Sequence, residues 1–161
     1  MAIRFPSEVD LNESKRTELI KTLNTGLATS LDLYSQVKQA HWNVRGMFFY
    51  GRHELFDEIA EHLEGQADDL AERAGALGGY AKGTVRQAGD ASILDDYDTD
   101  ATTAQQHLST LTKQYKTFAG WTREAIGEAE KIGDPATEDL FTEILRQVEM
   151  DLWFLHSHLQ D

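Results

Sequence analysis

The chain has 161 residues and a mass of 18.1 kDa, which suits one domain with a single core. It contains no cysteine, which excludes disulfides, thiolate zinc sites, iron–sulfur clusters and cysteine nucleophiles, so any metal must be held by oxygen and imidazole ligands. A formal net charge of −13 opposes binding to nucleic acid and anionic membranes and attracts cations.

The sequence also favours a location in the cytoplasm. No apolar run approaches the roughly 20 residues that span a bilayer. Residues 1–10 lack the apolar core of a signal peptide. A cytoplasmic protein is therefore the default expectation.

Four long stretches show helical periodicity, and none alternates as a strand would. The first predicted helix spans about 14–42, and the second runs from residue 49 or 52 to 77, where two glycines end it. The third spans about 99–133, and the fourth follows Asp134-Pro135, in which proline takes the first helical position.

The connection at 78–98 is long enough to return the chain along a helix of about 25 residues, a distance of roughly 40 Å. The pattern therefore predicts an all-α four-helix bundle with one long crossover between helices two and three. A short helical turn is expected near Ile93 and Leu94. Residues 1–161 form one domain, beginning with a short N-terminal tail of about 1–13.

The second predicted helix carries an acidic face separate from its apolar face. Steps of about 100° per residue place six metal-ligand types within an arc of about 100°. These residues are His53, Asp57, Glu61, Glu64, Asp68 and Glu72. A solvated acidic surface is the simplest interpretation of such an arc, and the spacing of its members favours a more specific one.

Two pairs on this face have the spacing of metal ligands. His53 and Asp57 are four residues apart, as are Asp68 and Glu72, so each pair can hold one ion. The pairs lie about 22 Å apart along the axis, so one ion cannot contact both within a chain. If two copies of the helix pack antiparallel about a two-fold axis, His53 faces Glu72 of the partner subunit and Asp57 faces Asp68 of the partner subunit. His62 would then lie almost on the axis, near its symmetry mate.

The ligand types restrict the metal. Imidazole and carboxylate suit iron, manganese or zinc, and a redox role favours iron. Bundles that hold two metals in one chain use Glu-x-x-His motifs on two helices. No histidine here has a glutamate three residues before it, so an intrachain di-iron site of that kind is not expected.

Three spaced motifs carry a family likeness. They are His41-Trp-Asn-Val-Arg-Gly46, His53-Glu-Leu-Phe-Asp57-Glu58, and Asp68-Asp-Leu-Ala-Glu72-Arg73 followed by Leu77-Gly-Gly79. Together with the glycine-rich crossover and Leu152-Trp153-Phe154, they make nearly the whole chain resemble the Dps family, the mini-ferritins named as DNA-binding proteins from starved cells.

The resemblance implies a ferritin-like fold, a hollow dodecamer, and ferroxidase centres at its two-fold interfaces. It implies that His41, His53 and Asp57 come from one subunit, and Asp68 and Glu72 from its neighbour. Fe(II) would be oxidised there, preferably by hydrogen peroxide with dioxygen as the alternative, and ferric mineral stored inside the shell. Such an oxidoreductase would protect against oxidative stress. Zinc is an alternative occupant or inhibitor of the same site.

Trp42 resembles the family tryptophan near the site, where it would intercept stray oxidising equivalents; a role as a core aromatic is the alternative. The chain also departs from the family pattern. Met47, Phe48 and Arg52 stand where family members commonly have a small residue, an asparagine and an apolar residue, which bears on access to the site.

The fourth predicted helix begins with a cluster of acids, Asp134, Asp139 and Glu143. Acids are expected there as caps and partners of the helix dipole, although that effect fades before Glu143. In mini-ferritins this helix start lines acidic pores at a three-fold axis. The resemblance therefore implies that these three residues guide Fe(II) inward.

DNA binding in this family usually relies on a basic tail. The first sixteen residues hold three basic residues against three acidic ones, and the chain ends in Gln160-Asp161. Direct DNA binding is therefore doubtful. The alternative function is a nucleoid-associated protein that protects DNA without significant ferroxidase activity.

Overall fold

In the computed structural model, which describes residues 3–160, the chain folds into five helices. They are α1 (Glu13–Asn43), α2 (Phe49–Ala76), α3 (Val85–Ala91), α4 (Ala104–Ile132) and α5 (Pro135–Ser157). Hairpin α1–α2 packs on hairpin α4–α5, and α3 lies in the long connection between them. The predicted all-α bundle with one crossover is thus confirmed. No helix within residues 3–160 is long and apolar enough to cross a membrane.

Local hydrogen bonds explain where the helices begin. The side chain of Asn12 accepts a hydrogen bond from the backbone of Lys15 and caps α1. Helix α4 begins at Ala104, five residues later than predicted, because Thr103 and Gln106 bond to each other's backbone in a capping box. A second capping box, formed by Thr84 and Gln87, starts α3. The short helix therefore lies at 85–91 instead of near Ile93.

The N-terminal segment is attached to the bundle. The backbone amides of Arg4 and Phe5 donate to the carbonyl of Gly78 at 2.9 and 3.0 Å. The hydroxyl of Ser7 donates to the carbonyl of Ala76 at 2.7 Å. The described part of the predicted tail therefore lies against the end of α2.

The crossover follows α1 from one end of the bundle to the other. Near its beginning, the amide of Lys82 donates to the Asn24 side chain at 2.8 Å. Further along, Gln36 of α1 and Gln114 of α4 both donate to the carbonyl of Asp95, at 3.1 and 2.7 Å. The crossover reaches α4 beside the α1–α2 turn, at what we call the upper end of the bundle.

The start of the crossover leaves no room for a side chain at Gly79. A methyl group there would lie 2.7 Å from the carbonyl oxygen of Ala74 and 2.7 Å from Cγ2 of Ile20. We expect Gly79→Ala to lower the free energy of unfolding by about 1–3 kcal/mol, the usual scale of overpacking. Thermal or urea unfolding measures the change.

The control is Gly120→Ala, at an exposed helical position where an added Cβ meets nothing within 4 Å. It should stabilise the protein by about 0.5–1 kcal/mol through helix propensity. Equal unfolding midpoints for the two variants would contradict the packing argument.

Candidate metal centre

The turn between α1 and α2 determines how the first two candidate ligands meet. Val44 is fully buried and anchors the end of α1, whereas Phe48 adopts a left-handed conformation with φ 59° just before α2. Arg52 donates to the carbonyl of Met47 at 3.0 Å and so folds back over the turn. The positive charge of Arg52, in the first turn of α2, is therefore held at this turn.

His41 and His53 hold each other in place. Nδ1 of His41 lies 2.9 Å from the carbonyl oxygen of His53, and Nδ1 of His53 lies 3.0 Å from the carbonyl oxygen of His41. Because a carbonyl oxygen can only accept, both Nδ1 atoms carry the proton. The rings stack with centroids 3.6 Å apart. In the neutral form of each ring, Nε2 then carries the lone pair with which histidine binds metals.

Asp57 lies next to this histidine pair but is engaged by a cation. Its Oδ1 is 3.8 Å from Nδ1 of His41 and forms a very short ion pair with Nζ of Lys38. The hydrogen bond from Lys38 lowers the pKa of Asp57, so the carboxylate is ionised at neutral pH. In the single chain, the Asp57 oxygen that lies near His41 is therefore already bound to an ammonium group.

The structure leaves the other two carboxylates apart from this group. Asp68 and Glu72 are exposed near the far end of α2. Among residues 3–160, no three histidine, aspartate or glutamate side chains are close enough to hold an ion. Within one chain, the candidate ligands therefore form two separate groups towards opposite ends of α2.

Several other residues occupy positions that differ from the expectations. Trp42 is 60% exposed, so it does not belong to the core of the chain. His62 bonds to the buried Asp151 within the chain, with Nδ1 and Oδ1 3.1 Å apart, which gives it a partner other than its symmetry mate.

Asp134 differs most from the pore prediction. It is 5% exposed, and its carboxylate accepts hydrogen bonds from Arg73 at 2.7 Å and from Thr137. Burial alone would raise the pKa of Asp134, but these hydrogen bonds together with the charge of Arg73 lower it below the usual value of an aspartate. Asp134 therefore ties α2 to α5 with its charge already compensated, whereas Asp139 and Glu143 are exposed on α5.

Comparison with known proteins identifies the family. The Ferritin-like domain family matches residues 20–161. The chain is 38% identical over 152 residues to the DNA protection during starvation protein of Agrobacterium fabrum, with 94% of each chain covered. It is 34% identical to the protein of that name from Mycolicibacterium smegmatis, over 93% of this chain and 81% of the relative. The chain belongs to the Dps family.

A solved structure agrees with this membership. The archaeal Dps homologue from Halobacterium salinarum has a TM-score of 0.94 and 31% identity, over 99% of this chain and 89% of that chain. The resemblance inferred from the motifs is confirmed, and the chain is a mini-ferritin in fold and family.

Sequence reasoning missed Lys38. It precedes His41 by three residues, so both side chains lie on one face of α1, and this spacing was the available signal. The reciprocal bonds of the two histidines to backbone carbonyls had no such signal, because they depend on the angle between α1 and α2.

The Lys38–Asp57 ion pair predicts weak metal binding in the unmodified protein. We expect Lys38→Met to tighten binding of Zn(II) or Co(II) by on the order of tenfold, the scale of changes beside a ligand, because the ion no longer displaces an ammonium group. Isothermal titration calorimetry at neutral pH measures the affinity.

Lys113→Met is the matched control, because Lys113 pairs with Asp95 at 2.7 Å on the surface of the crossover. It removes the same charge and should leave the affinity unchanged. If both variants tighten binding equally, the effect comes from net charge and the ion pair has no specific role.

Proposed function

We propose that this Dps protein is a ferroxidase and iron-storage protein. It oxidises Fe(II), preferably with hydrogen peroxide, at sites shared between two subunits, and it stores ferric mineral in a hollow oligomer, a dodecamer as the family likeness implies. The observation that supports the proposal is the histidine pair, in which both Nδ1 atoms are bonded to backbone carbonyls and Asp57 lies next to His41. Membership of the ferritin-like family favours iron as the substrate.

Two subunits are needed because of the length of α2. Its antiparallel packing on α2 of a second copy would bring the exposed Asp68 and Glu72 of each chain to the histidine pair of the other. Each site would then have imidazole and carboxylate ligands in a mixed set that suits Fe(II). The two-fold axis would make two such sites at each interface.

The ligands have separate chemical roles in this proposal. The carboxylates stabilise the additional positive charge that develops as Fe(II) becomes Fe(III), and Asp57 or Asp68 can bridge two ions. The fixed imidazoles hold the coordination geometry during that change. An ion that binds Asp57 would have to displace the ammonium group of Lys38, so cation exchange at this carboxylate accompanies metal binding. Zinc fits the same ligands and would inhibit by occupying them.

Mixing two inactive variants tests whether the site is shared. His41→Ala with His53→Ala removes one half, and Asp68→Asn with Glu72→Gln removes the other, so each double variant should lose peroxide-driven Fe(II) oxidation. When the two are co-expressed, about one quarter of the sites should combine an intact histidine half with an intact carboxylate half. We expect about that fraction of the parental rate in purified mixed oligomers.

Oligomers of each double variant, combined only after purification and assembly, serve as the control and should stay inactive. Mixed oligomers without any recovered activity would exclude a shared site. If the histidine double variant oxidises iron as fast as the parent, the ferroxidase assignment is wrong, and the alternative of DNA protection without iron oxidation gains support.

Asp139 and Glu143 are proposed to guide Fe(II) to the interior. Both are exposed and lie one turn apart on α5, so they present two negative charges on one face. We expect Asp139→Asn with Glu143→Gln to slow iron uptake several-fold at low ionic strength. The difference should shrink as salt screens the charges, with a screening length of about 10 Å at 0.1 M.

The control removes two exposed acids elsewhere, with Asp10→Asn and Glu13→Gln at the start of α1. It changes net charge equally and should leave the rate of uptake near that of the parent. Rates that fall equally in both variants, or in neither, would remove the guiding role.

A further inference from the structure

A groove at the lower end of the bundle, where α2 ends and the crossover begins, gathers positive charge. It has a volume of about 650 Å³ and lies between the N-terminal segment, α1, the crossover and α3. Three of its lining residues are basic, Arg4, Lys21 and Lys82, and one, Asp90, is acidic. The whole chain has 28 acidic residues against 15 basic ones, so the groove reverses the charge balance of the protein.

The three basic residues meet through tertiary structure, since each belongs to a different segment of the chain. The backbone amide of Arg4 donates to the carbonyl of Gly78 at 2.9 Å, which fixes the N-terminal segment. The backbone amide of Lys82 donates to the side chain of Asn24 at 2.8 Å, which fixes the crossover on α1. Lys21 precedes Asn24 by three residues and therefore lies on the same face of α1. The fold thus holds all three around one groove.

The protein does not neutralise these basic side chains. Residues 3–160 form six ion pairs, and none of the six includes Arg4, Lys21 or Lys82. The guanidinium carbon of Arg4 lies 4.4 Å from the centroid of the Tyr80 ring. Stacking of this kind uses the face of the guanidinium and leaves the N–H groups at its edge for an anion. The groove therefore offers positive charge that its own side chains leave uncompensated.

Phosphate is the anion that fits these groups. Arginine binds two phosphate oxygens at once through its planar fork, and lysine adds a point charge. Pockets for small molecules have volumes of about 300–1,000 Å³, which includes the size of this groove. Ile20 and Ala91 supply apolar lining beside the charges. Size and lining together favour a small organic phosphate.

Asp90 indicates what the rest of the ligand carries. It lines the same groove but belongs to none of the ion pairs among residues 3–160. A carboxylate repels phosphate and accepts hydrogen bonds from hydroxyl groups. Gln87, three residues before Asp90, uses its Oε1 in the capping box of α3, which leaves its Nε2 as a donor. These two residues suit hydroxyl groups at the end of the ligand away from the phosphate.

We propose that this groove binds a small organic phosphate whose carbon part carries hydroxyl groups, such as a phosphorylated sugar. The phosphate contacts Arg4, Lys21 and Lys82, and the hydroxyl groups donate to Asp90. A doubly charged phosphate offsets two of the three positive charges and so relieves the repulsion among them. The groove lies within one chain, at the opposite end of the bundle from the histidine pair, so the site is separate from the proposed metal centre.

Double-stranded DNA fits this groove less well. A duplex carries one negative charge per about 1.7 Å, and along its length it would face the repulsion of a chain with a net charge of −13. A small anion inside the groove interacts mainly with the groove itself, because salt screens charges beyond about 10 Å at 0.1 M. The local charge therefore favours the small phosphate ester.

Isothermal titration calorimetry of the assembled protein at low ionic strength tests the site, with ribose 5-phosphate as the probe. We expect the parent to bind it more tightly than inorganic phosphate and to leave ribose unbound. Lys21→Met with Lys82→Met should weaken binding about tenfold or more, because two charged contacts to the phosphate are lost. The matched control is Lys113→Met with Lys116→Met, which removes the same charge from exposed positions on α4 and should keep the parental affinity.

Asp90→Ala gives a readout that a purely structural role would not move. Removal of the negative charge should strengthen the binding of inorganic phosphate, while loss of the acceptor removes the contact to the hydroxyl groups of the sugar. The preference for ribose 5-phosphate over inorganic phosphate should therefore fall several-fold. A distorted groove would instead weaken the binding of both probes.

Three results would overturn the proposal. The first is ribose 5-phosphate that binds no more tightly than inorganic phosphate, and the second is an unchanged affinity in Lys21→Met with Lys82→Met. The third is a parent that shifts duplex DNA in a gel, loses the shift in this double variant and leaves ribose 5-phosphate unbound, because the groove then contacts DNA. All these variants should oxidise Fe(II) at the parental rate, so either proposal can fail without the other.

Discussion

Everything at the upper end of the bundle depends on the two hydrogen bonds that His41 and His53 exchange with each other's backbone. They join the last turn of α1 to the first turn of α2 through atoms that any metal site would leave unused. Because each ring is fixed by its Nδ1, the direction of its Nε2 is fixed as well. The same contacts that hold the hairpin together therefore orient the two histidines that we propose as ligands.

The charges around this pair explain how an acidic protein keeps the carboxylate of Asp57 ionised beside the two histidines. The chain has a net charge of −13, so an uncompensated carboxylate at Asp57 would add to the repulsion among its acidic residues. Lys38 compensates Asp57 and thereby keeps that carboxylate ionised. At the other end of the molecule, Arg73 does the same for the buried Asp134. Both pairs also connect two helices, so charge compensation and packing coincide.

Periodicity and capping residues predicted most of the fold, because four apolar stripes leave few ways to form one core. The errors occur where local chemistry overrides the pattern. The capping box of Thr103 begins α4 later than the first residue of its apolar stripe, and that of Thr84 starts the short helix ahead of the turn expected near Ile93.

For the site, residue spacing on one helix was sufficient to predict two separate groups of candidate ligands. It could not reveal contacts between helices, such as Lys38 with Asp57 or His62 with Asp151, because these depend on how the helices are rotated against each other. Asp134 illustrates the same limit, since its position favoured a cap and a pore while its partner Arg73 lies on another helix.

The crossover shows how topology brings further polar groups to the upper end of the bundle. Helix α2 ends near Ile20, and α4 must begin near Asn43, so the connecting chain has to run the length of α1. It packs few large apolar side chains on the way and is held mainly by hydrogen bonds. The clearest case is the carbonyl of Asp95, which accepts hydrogen bonds from both Gln36 and Gln114. The anchored segment places Tyr97 against His107 at the point where α4 starts. A connection required by the order of the helices thus brings a phenol and an imidazole together at the upper end of the bundle.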